Sequence, residues 1–277
     1  MSKLFIGTSG WNYPHWQGIF YPQELSQSKW LEYYTQFFNA VELNVTFYRL
    51  VQQKTFQNWY KRTPKDFYFV AKGSRFISHI KKLKGVKESF DIFFDNAKEL
   101  KEKLAAILWQ FPPSFSRQSF DIRRDPATAG KKDLKRLEVF LKLLQKTKIR
   151  QVFEFRNDSW FDKEIYTLLK KYNACLCIAH SNRFPCVKEV TADFLYLRFH
   201  GGESLYSSNY SDKELKEWVD FAKERKNKDI FTFFNNDAYG YAVKNALKFR
   251  ELLEKERGVA LRHNSWRIRH ENRYYRL

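Results

Sequence analysis

Two carboxylates, three fixed cations and a histidine are spaced along this chain in a way that suits the handling of an anion. Glu42 and Asn44 lie two residues apart, as do Glu154 and Arg156, and Arg198 and His200. In an extended strand that spacing puts both members of a pair on one face. Lys72, Gln110 and Asn235 stand at the polar ends of three further apolar runs. Guanidinium groups in such a set can grip a phosphate or carboxylate with paired hydrogen bonds. The imidazole of His200 is a ready general base or metal ligand, its ordinary pKa being ~6.5. Glu42 and Glu154 could serve as acid and base or hold a hard divalent metal, roles decided by a separation that sequence does not supply. The same groups could instead neutralise one another as interior ion pairs. Their placement argues for more, because residues that merely filled an interior need not gather at one end of nearly every run.

Eight runs carry these residues: Leu4–Ser9, Val41–Tyr48, Phe67–Lys72, Ala105–Gln110, Val152–Arg156, Cys175–Ala179, Phe194–His200 and Ile230–Asn235. All are short and rich in β-branched and aromatic residues, the composition of strands. Val41–Tyr48 alternates throughout, with Val41, Leu43, Val45 and Phe47 on one face and Glu42, Asn44, Thr46 and Tyr48 on the other. Helical spacing predicts helices from Ser28 as N-cap through Phe38, over Lys54–Arg62, from the basic loop after Lys72 to about Lys103, from about Lys131 to Lys146, over Asp162–Tyr172, over Asp212–Lys226 with Ser211 as cap, and over Tyr239–Lys255. None is evident between Ala179 and Phe194. Strands alternating with helices read as βα units on a parallel sheet, and eight is the number that closes a barrel. The predicted fold is therefore α/β, a single (β/α)8 TIM-type barrel over residues 1–256. It is irregular around strand six and has long βα loops on the C-terminal face, where active sites of this fold sit. From Arg257 the chain holds six arginines and no lysine. Residues 257–277 read as a basic tail outside the barrel, either a nucleic-acid-binding arm or an extension without a fold of its own.

A net charge of +19 over 277 residues favours acidic partners, nucleic acid foremost. Lysine-rich helix surfaces serving solubility are the competing explanation. A basic loop after strand three carries Arg75, His79, Lys81, Lys82, Lys84 and Lys87, with His79 read as solvated, and the loop after strand four carries Arg117, Arg123 and Arg124. The loop after strand one holds Trp11, Tyr13, Trp16, Phe20 and Tyr21, a stacking platform for bases or, for most of these rings, the loop's own core. No run of eighteen apolar residues occurs, so no membrane partner is expected. Met1-Ser2-Lys3-Leu4 leads straight into a strand, which implies a cytoplasmic location. Cys175, Cys177 and Cys186 read as reduced packing residues in preference to a zinc site with His180, although His180 ends strand six and is a candidate to join the site. No short metal signature, nucleophile elbow or phosphate loop is present.

Taken together, Gly7-Thr8-Ser9-Gly10-Trp11, Glu42-Leu43-Asn44-Val45-Thr46-Phe47-Tyr48, Gln110-Phe111-Pro112-Pro113, Glu154-Phe155-Arg156, Arg198-Phe199-His200-Gly201 and Phe234-Asn235-Asn236-Asp237 resemble the YecE-like family, domain of unknown function seventy-two. The resemblance runs over about residues 3–255 and implies a TIM-type barrel. It adds Trp11 and Tyr48 to the candidate substrate contacts Asn44, Lys72, Gln110, Arg156, Arg198 and Asn235, beside Glu42, Glu154 and His200 as candidate catalytic residues. Where such sequences often carry an acid after strand six, this chain has His180. The family has no settled activity, so the resemblance implies positions and not a reaction. The leading expectation is action on a phosphate-bearing substrate, nucleic acid being the first case. A phosphodiesterase-like hydrolase is the form considered, with a divalent metal and an enzymatic role both left open. The alternatives are a non-catalytic nucleic-acid-binding protein and an isomerase or lyase of a small anionic metabolite. Oligomeric state is not legible.

Overall fold

Nine short parallel strands line a barrel in the computed structural model, which describes residues 2–117, 131–225 and 227–257. The strands are β1 (Leu4–Thr8), β2 (Ala40–Leu43), β3 (Tyr68–Lys72), β4 (Leu104–Gln110), β5 (Arg150–Glu154), β6 (Cys175–Leu176), β7 (Ile178–His180), β8 (Phe194–Phe199) and β9 (Asp229–Phe234). They pair in the orders β2-β3-β4-β5-β6 and β1-β9-β8-β7. Helices α1 (Trp30–Tyr34), α2 (Val45–Tyr48), α3 (Gln53–Arg62), α4 (Lys87–Ala97), α5 (Lys131–Leu144), α6 (Lys163–Lys171), α7 (Asp212–Lys223) and α8 (Tyr241–Glu256) connect them. The predicted TIM-type barrel is thus the observed fold, and the irregularity expected at strand six takes a definite form. β6 pairs with β5 and β7 pairs with β8, the hand-over falling at Cys177, whose N–H still donates to Phe153 O at 2.8 Å.

The other join, between β1 and β2, carries no backbone ladder. Side chains lace it instead. Asn39 Oδ1 accepts from Ile6 N at 3.0 Å and its Nδ2 donates to Leu4 O at 2.5 Å. The Tyr34 hydroxyl accepts from Thr8 N at 2.9 Å and reaches Ala40 O at 3.2 Å. Gly7 permits this approach, since a Cβ there would lie 1.9 Å from Ala40 O.

Alternation along the strands divides the core in two. Phe5, Ala40, Val70, Ala106, Leu108, Val152, Cys175, Cys177, Ala179, Tyr196, Phe231 and Phe233 cluster in the lumen. The intervening residues, among them Ile6, Val41, Leu43, Phe69, Ile107, Phe153 and Leu197, pack outward against the helices. The parity puts Glu42, Lys72, Gln110, Glu154 and Arg198 on the lumen side near the C-terminal ends.

Three local expectations need correction. The strand predicted over Val41–Tyr48 stops at Leu43, and Val45–Tyr48 forms the helical turn α2. Thr46 turns the chain there, its hydroxyl donating to Leu43 O at 2.7 Å and Lys72 O at 2.6 Å. This buries Phe47 and leaves Tyr48 73% exposed. Ser28 caps no helix: it lies in a 3-10 turn over Gln27–Lys29 that precedes α1. His180 follows Ala179 of the lumen cluster and therefore points outward, where its Nδ1 meets the Tyr210 hydroxyl at 2.9 Å and its ring lies 5.2 Å from that of Trp218. Other signals read correctly, including Ser211, which forms a capping box with Glu214. The predicted tail from residue 258 onward, like Arg123 and Arg124, lies outside the described residues.

Candidate functional site

The lumen parity brings four of the candidate residues together in one buried network. Arg198 is fully buried, and its guanidinium holds both candidate carboxylates: Nη2 donates to Glu42 Oε1 at 2.5 Å and Nη1 to Glu154 Oε2. Tyr196 donates to the other Glu42 oxygen at 2.8 Å, and Arg156 Nε donates to Glu154 Oε1 at 2.7 Å. His200 completes the set, with Nε2 3.6 Å from Glu154 Oε1 and Nδ1 3.1 Å from the Asn235 amide nitrogen. Arg198 Nη1 also lies 3.3 Å from His200 Nε2, so the ring sits between that guanidinium and the Asn235 amide.

Electrostatics follows from this packing. Burial alone would raise the Glu154 carboxyl, but Arg198, Arg156 and His200 hold it well below the usual carboxylate range. Burial would lower Arg198, yet Glu154 and Glu42 hold it well above its ordinary value. Burial and the Arg198 charge press His200 down to about 4, so the ring is neutral at pH 7. Two carboxylates face two guanidiniums, and the floor is balanced. Charges taken out of water stay ionised only where such partners repay desolvation.

Above this floor opens a cavity of about 1110 Å³ at the C-terminal end of the barrel. Trp11, Asn44, Tyr48, Lys72, Gln110, Arg156 and Asn235 all line it. Glu42, Glu154, Arg198 and His200 do not; they lie beneath, so the predicted site separates into a mouth and a floor. Arg156 belongs to both, its guanidinium also lying 4.1 Å from the Phe184 ring centroid. Lys72 hangs from the end of β3 with its Nζ 4.4 Å from the Phe47 ring centroid. Burial, then the Arg198 charge, lower its amine to about 7.

Two lining residues, Arg49 and Tyr206, escaped sequence reasoning. Arg49 adds a cation to the wall beside Arg75 of the expected basic loop, and Tyr206 stands 3.5 Å from Arg156 Nη1. His79, expected in solvent, is half-buried in the wall with Nδ1 2.9 Å from Ser78 Oγ and its ring 4.9 Å from Phe47. Burial and Lys72 press it down to about 4. Asp237 accepts from Trp16 Nε1 at 2.8 Å and lies 3.1 Å from His15 Nε2. Burial pushes its carboxyl up to about 6 despite both neighbours. The available signal for Asp237 was the polar run Asn235-Asn236-Asp237, but nothing local links it to His15 across the barrel mouth. The aromatic loop divides as well: Trp16, Phe20 and Tyr21 are buried core, while Trp11 and Tyr13 face the cavity, with Trp11 edge-on to Trp59 at 5.4 Å. Among the described residues no group of three metal-ligating side chains converges. No described helix is long and apolar enough to cross a membrane.

Parallel strands, an outer shell of helices and a polar mouth at the C-terminal strand ends define a protein of the TIM-barrel class. Solved structures agree: a DUF72 family protein from Thermotoga maritima is 31% identical and superimposes with a TM-score of 0.74, covering 91% of this chain and 99% of that one. A second, from Enterococcus faecalis, is 20% identical with a TM-score of 0.76, covering 94% and 97%. The chain belongs to the family described as protein of unknown function DUF72, whose model matches residues 5–271. It is also 28% identical to the UPF0759 protein YunF of Bacillus subtilis, over 91% of this chain and 95% of that protein.

Proposed function

We propose that the barrel mouth binds a phosphate-bearing substrate. The observation that carries this reading is the charge of the cavity wall: Arg49, Arg75 and Arg156, with the partly protonated Lys72, against the single carboxylate of Asp237 among the described lining residues. Arg156 is the best-placed anchor, because Glu154 fixes its Nε and leaves the outer guanidinium edge toward the cavity. A fixed guanidinium loses little freedom on binding and matches phosphate geometry. Glu42, Glu154, Arg198 and His200 act as a rigid base that positions Arg156 and Asn235, and they do not touch the substrate. Proton transfer at the cavity falls to Asp237, whose carboxyl titrates closer to neutrality than an ordinary aspartate. Trp11 and Tyr48 supply ring faces for a base or sugar.

The test is a calorimetric titration of inorganic phosphate and of a 5′-mononucleotide into the parent chain and Arg156→Ala. Weakening of at least about tenfold, or 1.4 kcal/mol, is the expected result. Affinity unchanged in Arg156→Ala overturns the reading.

A nucleic-acid substrate is the extension favoured by the +19 charge. A strand leaving the mouth would meet the exposed Lys81 and Lys84.

A further inference from the structure

Among the described residues, Lys72 stands apart from the other cations packed into the barrel. Arg198 and Arg156 have carboxylate partners, and even Lys103 donates to Tyr60 O and Thr63 O at 2.7 and 2.8 Å. Lys72 is 6% exposed, yet its Nζ makes no hydrogen bond or ion pair among the described residues. The two carboxylates nearby are already taken by the arginines and Tyr196. What surrounds the amine is a Phe47 face on one side and the open cavity on the other. Its backbone is fixed, since β3 is flanked by β2 and β4 and Lys72 O accepts from Thr46. Gln110, buried and lining the same cavity, likewise has no hydrogen-bond partner for its side-chain amide among the described residues. A largely buried amine without a carboxylate of its own, beside other cations, is the arrangement that activates lysines as nucleophiles.

We propose that Lys72 is a covalent nucleophile that forms a Schiff base with an aldehyde or ketone carried by the substrate. The inference rests on the phosphate-binding reading and narrows it to phosphate esters with a reactive carbonyl. The Nζ lone pair attacks the carbonyl carbon, a C–N bond forms, and the carbonyl oxygen takes up a proton to give a carbinolamine. That oxygen then leaves as water, the two amine hydrogens having balanced it, and the C=N bond remains. Addition of water reverses the sequence. Gln110 is the group available to hydrogen-bond the carbinolamine oxygen, and the arginines of the wall hold the phosphate. Burial supplies the reactive form: with its amine lowered to about 7, Lys72 is half neutral at pH 7. An ordinary exposed lysine of pKa ~10.4 is neutral on the order of once in a few thousand.

The experiment is reductive trapping. The full chain is incubated at pH 7 with dihydroxyacetone phosphate and cyanoborohydride, and each lysine-containing peptide is quantified by mass spectrometry. Labelling of Lys72 at least about tenfold above the exposed lysines is expected, with loss of that fast label in Lys72→Met and Lys72→Arg. Melting curves of both variants verify folding, and the uncharged methionine is expected to raise stability at pH 7. Added inorganic phosphate separates the two ideas. Trapping that phosphate suppresses supports both. Trapping at Lys72 that phosphate leaves unchanged upholds the nucleophile and counts against the phosphate anchor. Labelling that tracks exposure alone, in a chain that binds phosphate by titration, overturns the nucleophile and leaves the anchor standing.

Discussion

Arg198 decides what the buried residues can do. Its terminal nitrogens are committed to Glu42 and Glu154 with no exposure to water, so its removal leaves Glu42 buried with only the Tyr196 hydroxyl and Glu154 with only Arg156 as a charged partner. Arg198→Met is expected to lose about 3–5 kcal/mol, the usual result of breaking one side of a buried pair. A melting temperature indistinguishable from the parent would contradict that. His200 gives a second test through pH. Its folded pKa of about 4 lies below the unfolded value of ~6.5, so the folded chain binds fewer protons between them. Its contribution is therefore fully present above about pH 6.5 and lost as pH falls through 4, at most about 3 kcal/mol. Urea unfolding of His200→Gln should show a shallower loss over that window; an unchanged slope would refute the assignment. At this scale the sequence was informative about pairs, because Glu154 with Arg156 and Arg198 with His200 share faces by strand parity alone. It carried no information about depth. Whether a polar strand end reaches the cavity depends on what the opposite strands put above it, and Asp237 and His15 arrive from separate loops.

Among the elements, β2 and the seam beside it show where local pattern stops determining structure. The alternation from Val41 to Tyr48 is compatible with a strand, but the Thr46 hydroxyl captures two carbonyls and turns the chain after Leu43. A tertiary contact to Lys72 O outweighed β propensity, which is weak and context-dependent. The irregularity at strand six was visible only as the lack of a helix pattern between Ala179 and Phe194, and the outward His180 follows from counting parity from Cys175 and not from the end of the run. The β1–β2 seam was invisible, since it consists of side chains standing in for a ladder. Asn39→Ala there should cost about 1–3 kcal/mol, the penalty for a buried backbone group left without its partner. Hydrogen exchange should show the Ile6 amide opening faster than in the parent. Equal protection at Ile6 would mean that Asn39 does not hold the seam.

For the whole molecule, fold class was legible because strand and helix periods alternate so regularly, and the family match over residues 5–271 agrees with it. The +19 charge is a property of composition and names no partner. Salt separates the two readings it permits. An oligonucleotide with several phosphates neutralised by the protein should lose binding by orders of magnitude between about 50 and 200 mM salt, whereas a single small phosphate ester held in the cavity should respond weakly. A shallow slope for oligonucleotides would confine the substrate to the mouth.

Arg156 joins the buried base to the open cavity, and the account stands on it. The most direct measurement is the crystal structure of the parent chain soaked with a 5′-mononucleotide, read at the cavity above Glu154. The account predicts phosphate oxygens within hydrogen-bond distance of the Arg156 guanidinium, with Arg198 still bound to Glu42 and Glu154. A nucleotide seated elsewhere, with that guanidinium uncontacted, would contradict it.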